Sequence, residues 1–102
     1  AMGAAIRGWK LQLWSFASLE DIAERINPVV RGWLNYYGRF RKSALYPILR
    51  QIQYALVRWA MRKHKRLRGH WLRATRWLGR IARREPRLFA SWGFGFRPSA
   101  GQ

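Results

Sequence analysis

Apolar positions recur along most of this chain at the three- and four-residue spacing of amphipathic helices. Ser18-Leu19-Glu20-Asp21 is a capping-box pattern, in which a hydroxyl and a carboxylate satisfy the orphan amides of a helix start. A helix therefore opens at Ser18, with Ile22 and Ile26 on one face. Asn27-Pro28 interrupts the pattern. Asn is a good N-cap and Pro is tolerated at a first helical position, so a second helix, or a kinked continuation, is expected from Pro28 to about Tyr37. Val29 or Val30, Trp33, Tyr36 and Tyr37 mark its apolar side, and Gly38 its end. Gly32 inside this helix costs about 1 kcal/mol relative to Ala, which suggests close packing against another element.

Ser43 is expected to cap a third and longest helix, to about Arg66, with Pro47 in its first turn. Leu45, Ile48 or Leu49, Ile52, Leu56 and Trp59 form its stripe, and Gly69 breaks the run. A fourth helix is expected from about His70 to Arg84. Trp71, Ala74, Leu78 and Ile81 make one face; Arg73, Arg76, Arg80 and Arg83 repeat the same spacing two residues on and line an opposed face. Pro86 ends it. In residues 3–17, the alternation of Trp9, Leu11 and Leu13 favours an extended segment, with a short helix close behind. The tail Leu88–Phe96 is rich in Gly and aromatics, so it reads as irregular but docked. The fold class is all-α: a compact bundle of about four helices with an irregular, aromatic-rich C-terminal tail. Residues 1–5 read as a cloning scar or linker, 6–96 as one domain and 97–102 as a disordered tail.

Composition narrows the class. The chain has 102 residues, 49% hydrophobic and 16% aromatic, enough for a core and for one domain. With no cysteine it has no disulfide, Cys-based zinc site or thiol nucleophile, which is compatible with a reducing cytoplasm. No apolar run approaches the ~18 residues of a membrane span, and no signal-peptide pattern opens the chain.

Charge changes the picture most. There are 21 Lys plus Arg against 4 Asp plus Glu, a formal net charge of +17. The acids are Glu20, Asp21, Glu24 and Glu85, so residues 25–84 hold 17 Lys or Arg and no carboxylate. Intramolecular salt bridges cannot neutralise them, and a solvated face normally mixes signs. The complementary partner is a polyanion: RNA, DNA or an anionic membrane. Arginine predominates over lysine, which favours bidentate phosphate contacts and stacking on bases.

Catalytic chemistry is scarce. The acidic cluster already has a capping role, and two-metal sites need several converging carboxylates. His64 and His70 have no third ligand, Ser15, Ser18, Ser43 and Thr75 lack a nucleophile signature, and Gly93-Phe94-Gly95 is no phosphate loop. The chain alone is not expected to be an enzyme, and no metal or cofactor is expected.

Ile26-Asn27-Pro28-Val29-Val30-Arg31-Gly32-Trp33-Leu34-Asn35-Tyr36-Tyr37-Gly38 resembles the signature of the maturase domain of group II intron proteins. Leu56-Val57-Arg58-Trp59-Ala60 with Arg62-Lys63-His64-Lys65 resembles the family's second block, and Pro86–Trp92 the closing block of bacterial members. The likeness covers residues 6–96, and the chain is similar to members lacking the endonuclease. The resemblance implies domain X, or thumb, of a reverse transcriptase. Such a helical domain binds group II intron RNA, assists its folding and splicing, and holds the template–primer duplex beside the fingers and palm in cis. The intron RNA performs the splicing chemistry, and the polymerase aspartates lie in the fingers and palm. The resemblance further implies a bacterial, cytoplasmic, nucleic-acid-associated protein of a retrotransposing mobile element, with no membrane partner.

The expected RNA-binding residues are Arg73, Arg76, Arg80 and Arg83; Arg58, Arg62, Lys63, Lys65, Arg66 and Arg68 at the basic end of the third helix; and Arg39, Arg41 and Lys42. Arg31, within the signature, either contacts RNA or packs against Trp33 and Tyr36. Asn27, Pro28, Gly32, Trp33, Tyr36, Tyr37 and Trp59 form the motif and core set. Tyr37 and Trp92 are the aromatics most open to a stacking role. The rival readings are a helix-turn-helix DNA-binding module, whose fourth helix offers few Asn or Gln for base reading, and a non-specific polyanion or membrane-surface binder.

Overall fold

A computed structural model describes residues 2–98, apart from the side chains of Met2 and Gln12; the tail expectation for 99–102 lies outside these residues. The capping box at Ser18 is formed. Ser18 Oγ accepts the Asp21 N–H at 3.1 Å, and the Ser18 N–H donates to Asp21 Oδ2 at 3.2 Å. From it α2 runs Leu19–Tyr37 as one helix, with Pro28 inside. Of the two alternatives at Asn27-Pro28, the helix continues and no new helix starts there. Pro28 lacks the N–H that would reach the Glu24 carbonyl, but both residues are exposed, so water can satisfy that oxygen.

The central element is α3, Lys42–Lys63. It starts before Ser43 and has no side-chain cap at Arg41, so Ser43 lies inside the first turn rather than at the cap. It also ends earlier than expected. His64 closes it, and a 3-10 turn at Lys65–Leu67 carries the basic run. Gly69 has φ 77°, a left-handed turn that Gly adopts without strain. Beyond it α4 spans Trp71–Arg84.

The N-terminal segment is not extended. It forms α1, Met2–Trp9, then a 3-10 turn at Leu11–Leu13, joined through Lys10 at φ 51°. That left-handed residue redirects the chain, so Leu11 becomes fully buried while Leu13 stays exposed. The tail forms a short α5, Ala90–Phe94, with Phe89 and Trp92 buried edge to face at 4.7 Å. The Arg97 Nε–H donates to the Trp92 carbonyl, and the Pro98 carbonyl lies about 3 Å from where a Cβ on Gly79 would be.

The 3-10 turn at Leu11–Leu13, α1, α2 and α4 all pack on α3, and α5 packs on α2. The core comprises Ile22, Ile26 and Val30 of α2; Leu45, Leu49, Ile52, Leu56 and Trp59 of α3; and Ala74, Leu78 and Ile81 of α4. The radius of gyration is 13.0 Å, as a compact chain of this length requires. Among the described residues there is no strand, and no helix is long and apolar enough to cross a membrane.

Three expectations about packing fail. Gly32 is exposed, and a Cβ placed there would meet nothing within 4 Å, so no neighbouring element explains it. Tyr36, expected in the core, is 72% exposed. Trp71 is exposed, its ring edge to face with Tyr54 at 5.4 Å, because the buried α4 stripe is Ala74, Thr75, Leu78, Ile81 and Ala82. Of the two aromatics left between core and stacking roles, Trp92 is 1% exposed and so belongs to the core, and Tyr37 is half-buried.

Candidate nucleic-acid interface

On α4 the small and aliphatic residues face α3, which turns Arg73, Arg76, Arg80 and Arg83 outward; all four are exposed. Arg73 Nη1 donates to the Arg66 carbonyl at 3.4 Å, joining the start of this face to the basic turn after α3. Lys65 and Arg66 are exposed there too.

Three arginines share one depression nearby. Arg58 and Arg62, one turn apart on α3, and Arg68 from the following loop line a depression of about 640 Å³ with Ser15, Met61 and Gly69. Arg58 also borders a second depression with Arg7, Lys10 and Tyr54. The two share Arg58, and no carboxylate is in either lining. Arg7 and Lys10 were not singled out by the sequence, because reading their segment as extended gives them no register against α3.

A separate basic region lies at the end of α2. Arg31, Arg39 and Arg87 line one depression with Asn35 and Phe94. Asn35 and Arg39 also line the adjoining one, with Tyr36, Tyr37, Phe40 and Arg41. Arg87 and Phe40 were not singled out either. Arg87 arrives only through docking of the tail on α2. Phe40 did leave a signal: it is a large apolar residue outside any helical stripe, between Arg39 and Arg41. Lys42 is exposed at the start of α3.

Lys63 has a structural use. Its Nζ donates to the carbonyls of Ala17 at 2.7 Å and Ser15 at 3.2 Å and lies 5.4 Å from the Trp59 ring centre. Trp59 is buried, and its Nε1–H donates to the Trp14 carbonyl at 2.7 Å. Asn27 is also buried, with both ends of its amide bonded to the tail. Trp33 is half-buried and stacks on Trp9 at 5.6 Å.

Hydrogen bonds from Ser18 hold the Asp21 carboxyl below the usual carboxylate range, helped by Arg25 and Lys63. His64 is half-buried against Trp77 and Trp59; burial pushes its pKa down, and Lys63 and Arg66 add to the effect. Among the described residues no group of three His, Cys, Asp or Glu could hold a metal.

No curated protein and no solved structure matches the chain significantly. The family described as Group II intron, maturase-specific domain matches residues 1–77. That span includes α1–α3, the basic turn and the first half of α4; the Pro86–Trp92 block lies beyond it. The chain belongs to this maturase-specific domain family, which ties it to group II intron splicing and to intron RNA.

Proposed function

We propose that this domain binds group II intron RNA through its acid-free arginine surface and so assists intron folding and splicing. The supporting observation is that Arg58, Arg62 and Arg68 line one depression, and Arg58, Arg7 and Lys10 another, with no carboxylate in either lining. Arginines lining the same depressions with no carboxylate to offset them repel one another, and an ordered phosphate backbone relieves that repulsion. Neutralised phosphates allow RNA helices to approach one another, while the intron RNA carries the splicing chemistry. The outward arginines of α4 extend the surface. In the parent protein the domain is the thumb of a reverse transcriptase, beside the fingers and palm, and it holds the template–primer duplex. A maturase-specific domain is not itself the catalytic polymerase domain.

The test is competition binding of the chain with a group II intron RNA, duplex DNA and an unrelated structured RNA. Tighter binding to the intron RNA is expected. For about eight neutralised phosphates the log–log salt slope is about −6 to −7. Equal affinity for all three would reduce the function to non-specific polyanion binding.

A further inference from the structure

Of the exposed aromatic rings, two lie together among arginines at the end of α2. Tyr36 is 72% exposed and Phe40 is 84% exposed. They border the same depression at the end of α2, with Asn35, Arg39 and Arg41. Tyr36 is fixed there by the edge of Tyr37, with ring centres 4.8 Å apart at 73°. Tyr37 packs against the core. The exposed ring is therefore preorganised, and little freedom is lost when something stacks on it. The neighbouring depression, which shares Asn35 and Arg39, adds Arg31 and Arg87.

Gly32 supplies an independent observation. It lies one turn before Tyr36 on the same face of α2, it is exposed, and nothing lies within 4 Å of a Cβ position there. A helical Gly is costly, and no contact within the domain compensates. A bare patch of helix backbone beside a stacking ring and three guanidinium groups fits a sugar–phosphate chain lying close over the helix.

We propose that this end of α2 binds one unpaired nucleotide of the bound RNA. Its base stacks on Tyr36 and Phe40. Its edge reaches the Asn35 amide, which both donates and accepts. The adjacent phosphates lie against Arg31, Arg39 and Arg87, with the backbone passing over Gly32. The absence of any carboxylate from residues 25–84 makes the surroundings complementary to an anion rather than to a mixed-charge protein surface. The proposal rests on the RNA-binding reading and adds to it a preference for unpaired segments.

The test uses the 102-residue chain and two RNAs: a hairpin with a single 2-aminopurine in its loop, and a fully paired duplex. Stacking on Tyr36 changes the 2-aminopurine emission as protein is added. Tyr36→Ala with Phe40→Ala abolishes that change and weakens hairpin binding about 5- to 100-fold, leaving duplex binding unaltered. Tyr36→Phe retains the ring and retains both signals. Circular dichroism confirms that each variant keeps its helices. Hairpin binding with unchanged emission, and no effect of the double substitution, overturns the nucleotide site while leaving RNA binding intact. The same result accompanied by altered self-association assigns the two rings to a protein contact and also overturns it. Failure of both RNAs to bind overturns the RNA-binding reading itself.

Discussion

The Asn27 side chain donates from Nδ2 to the Leu88 carbonyl at 2.8 Å, across a sequence separation of 61 residues. Its Oδ1 accepts the Ala90 N–H at 2.9 Å. One buried amide thus completes the backbone of the segment entering α5 and fastens it to α2. This clasp brings Arg87 beside Arg31 and Arg39. Asn27→Leu leaves a buried acceptor and a buried donor unsatisfied, so the expected loss is about 2–4 kcal/mol in urea unfolding. Asn27→Asp keeps the acceptor for Ala90 but sets a carboxylate oxygen against the Leu88 carbonyl, and it should cost at least as much at neutral pH. Loss of the native Trp92 environment at lower urea than loss of helix would show the tail detaching first.

Asn27 also shows where reading the sequence reached its limit. The amphipathic stripes of α2, α3 and α4 and the Ser18 capping box were legible because they are local: period and spacing determine them. Asn before Pro carries the same local signal whether it caps a new helix or reaches out from a continuous one. Only the returning tail distinguishes the two. The same holds for Arg7, Lys10 and Arg87, which acquire their neighbours through chain reversal. For Gly32 the sequence registered the cost but attributed it to a contact within the domain.

Lys63 and the arginines near it should separate a structural cation from binding cations. Lys63→Ala removes the ammonium group that bonds one exposed and one part-buried carbonyl, so stability should fall by about 1 kcal/mol. The salt slope of RNA binding should stay unchanged. Arg58→Ala, Arg62→Ala and Arg68→Ala together should reduce the magnitude of that slope by about 2–3, with thermal stability kept. An unchanged slope in the triple variant would remove this depression from the interface. In the intact parent protein, reversing Arg73, Arg76 and Arg80 should lower splicing support while the fold survives.

His64 makes stability depend on pH. Burial against Trp77 and Trp59, with Lys63 and Arg66 nearby, holds its folded pKa below the ordinary 6.5. Between the two values the unfolded chain binds more protons than the folded one. The contribution is therefore fully present above about pH 6.5 and is lost as pH falls through the folded value. The melting temperature should drop as the solution is acidified from neutral to about pH 5, and His64→Gln should flatten that part of the profile. Asp21, lowered from 3.8, has the same sign but acts only in stronger acid.

Gly32→Ala gives opposite signs for folding and binding. An Ala methyl at this position meets nothing within 4 Å, and Ala is the better helix former. The variant should gain about 1 kcal/mol in unfolding free energy, measured in urea. If a sugar–phosphate backbone lies over this turn, the methyl group stands where that backbone needs to pass. Affinity for a loop-containing RNA should then fall while affinity for a paired duplex stays the same. A variant that is stabilised and binds the loop RNA as tightly as the parent chain would mean that nothing approaches this turn. A variant that is destabilised would mean that α2 is packed differently from the arrangement described, with a neighbour over Gly32. The two measurements together separate a glycine kept for a ligand from one kept for the fold.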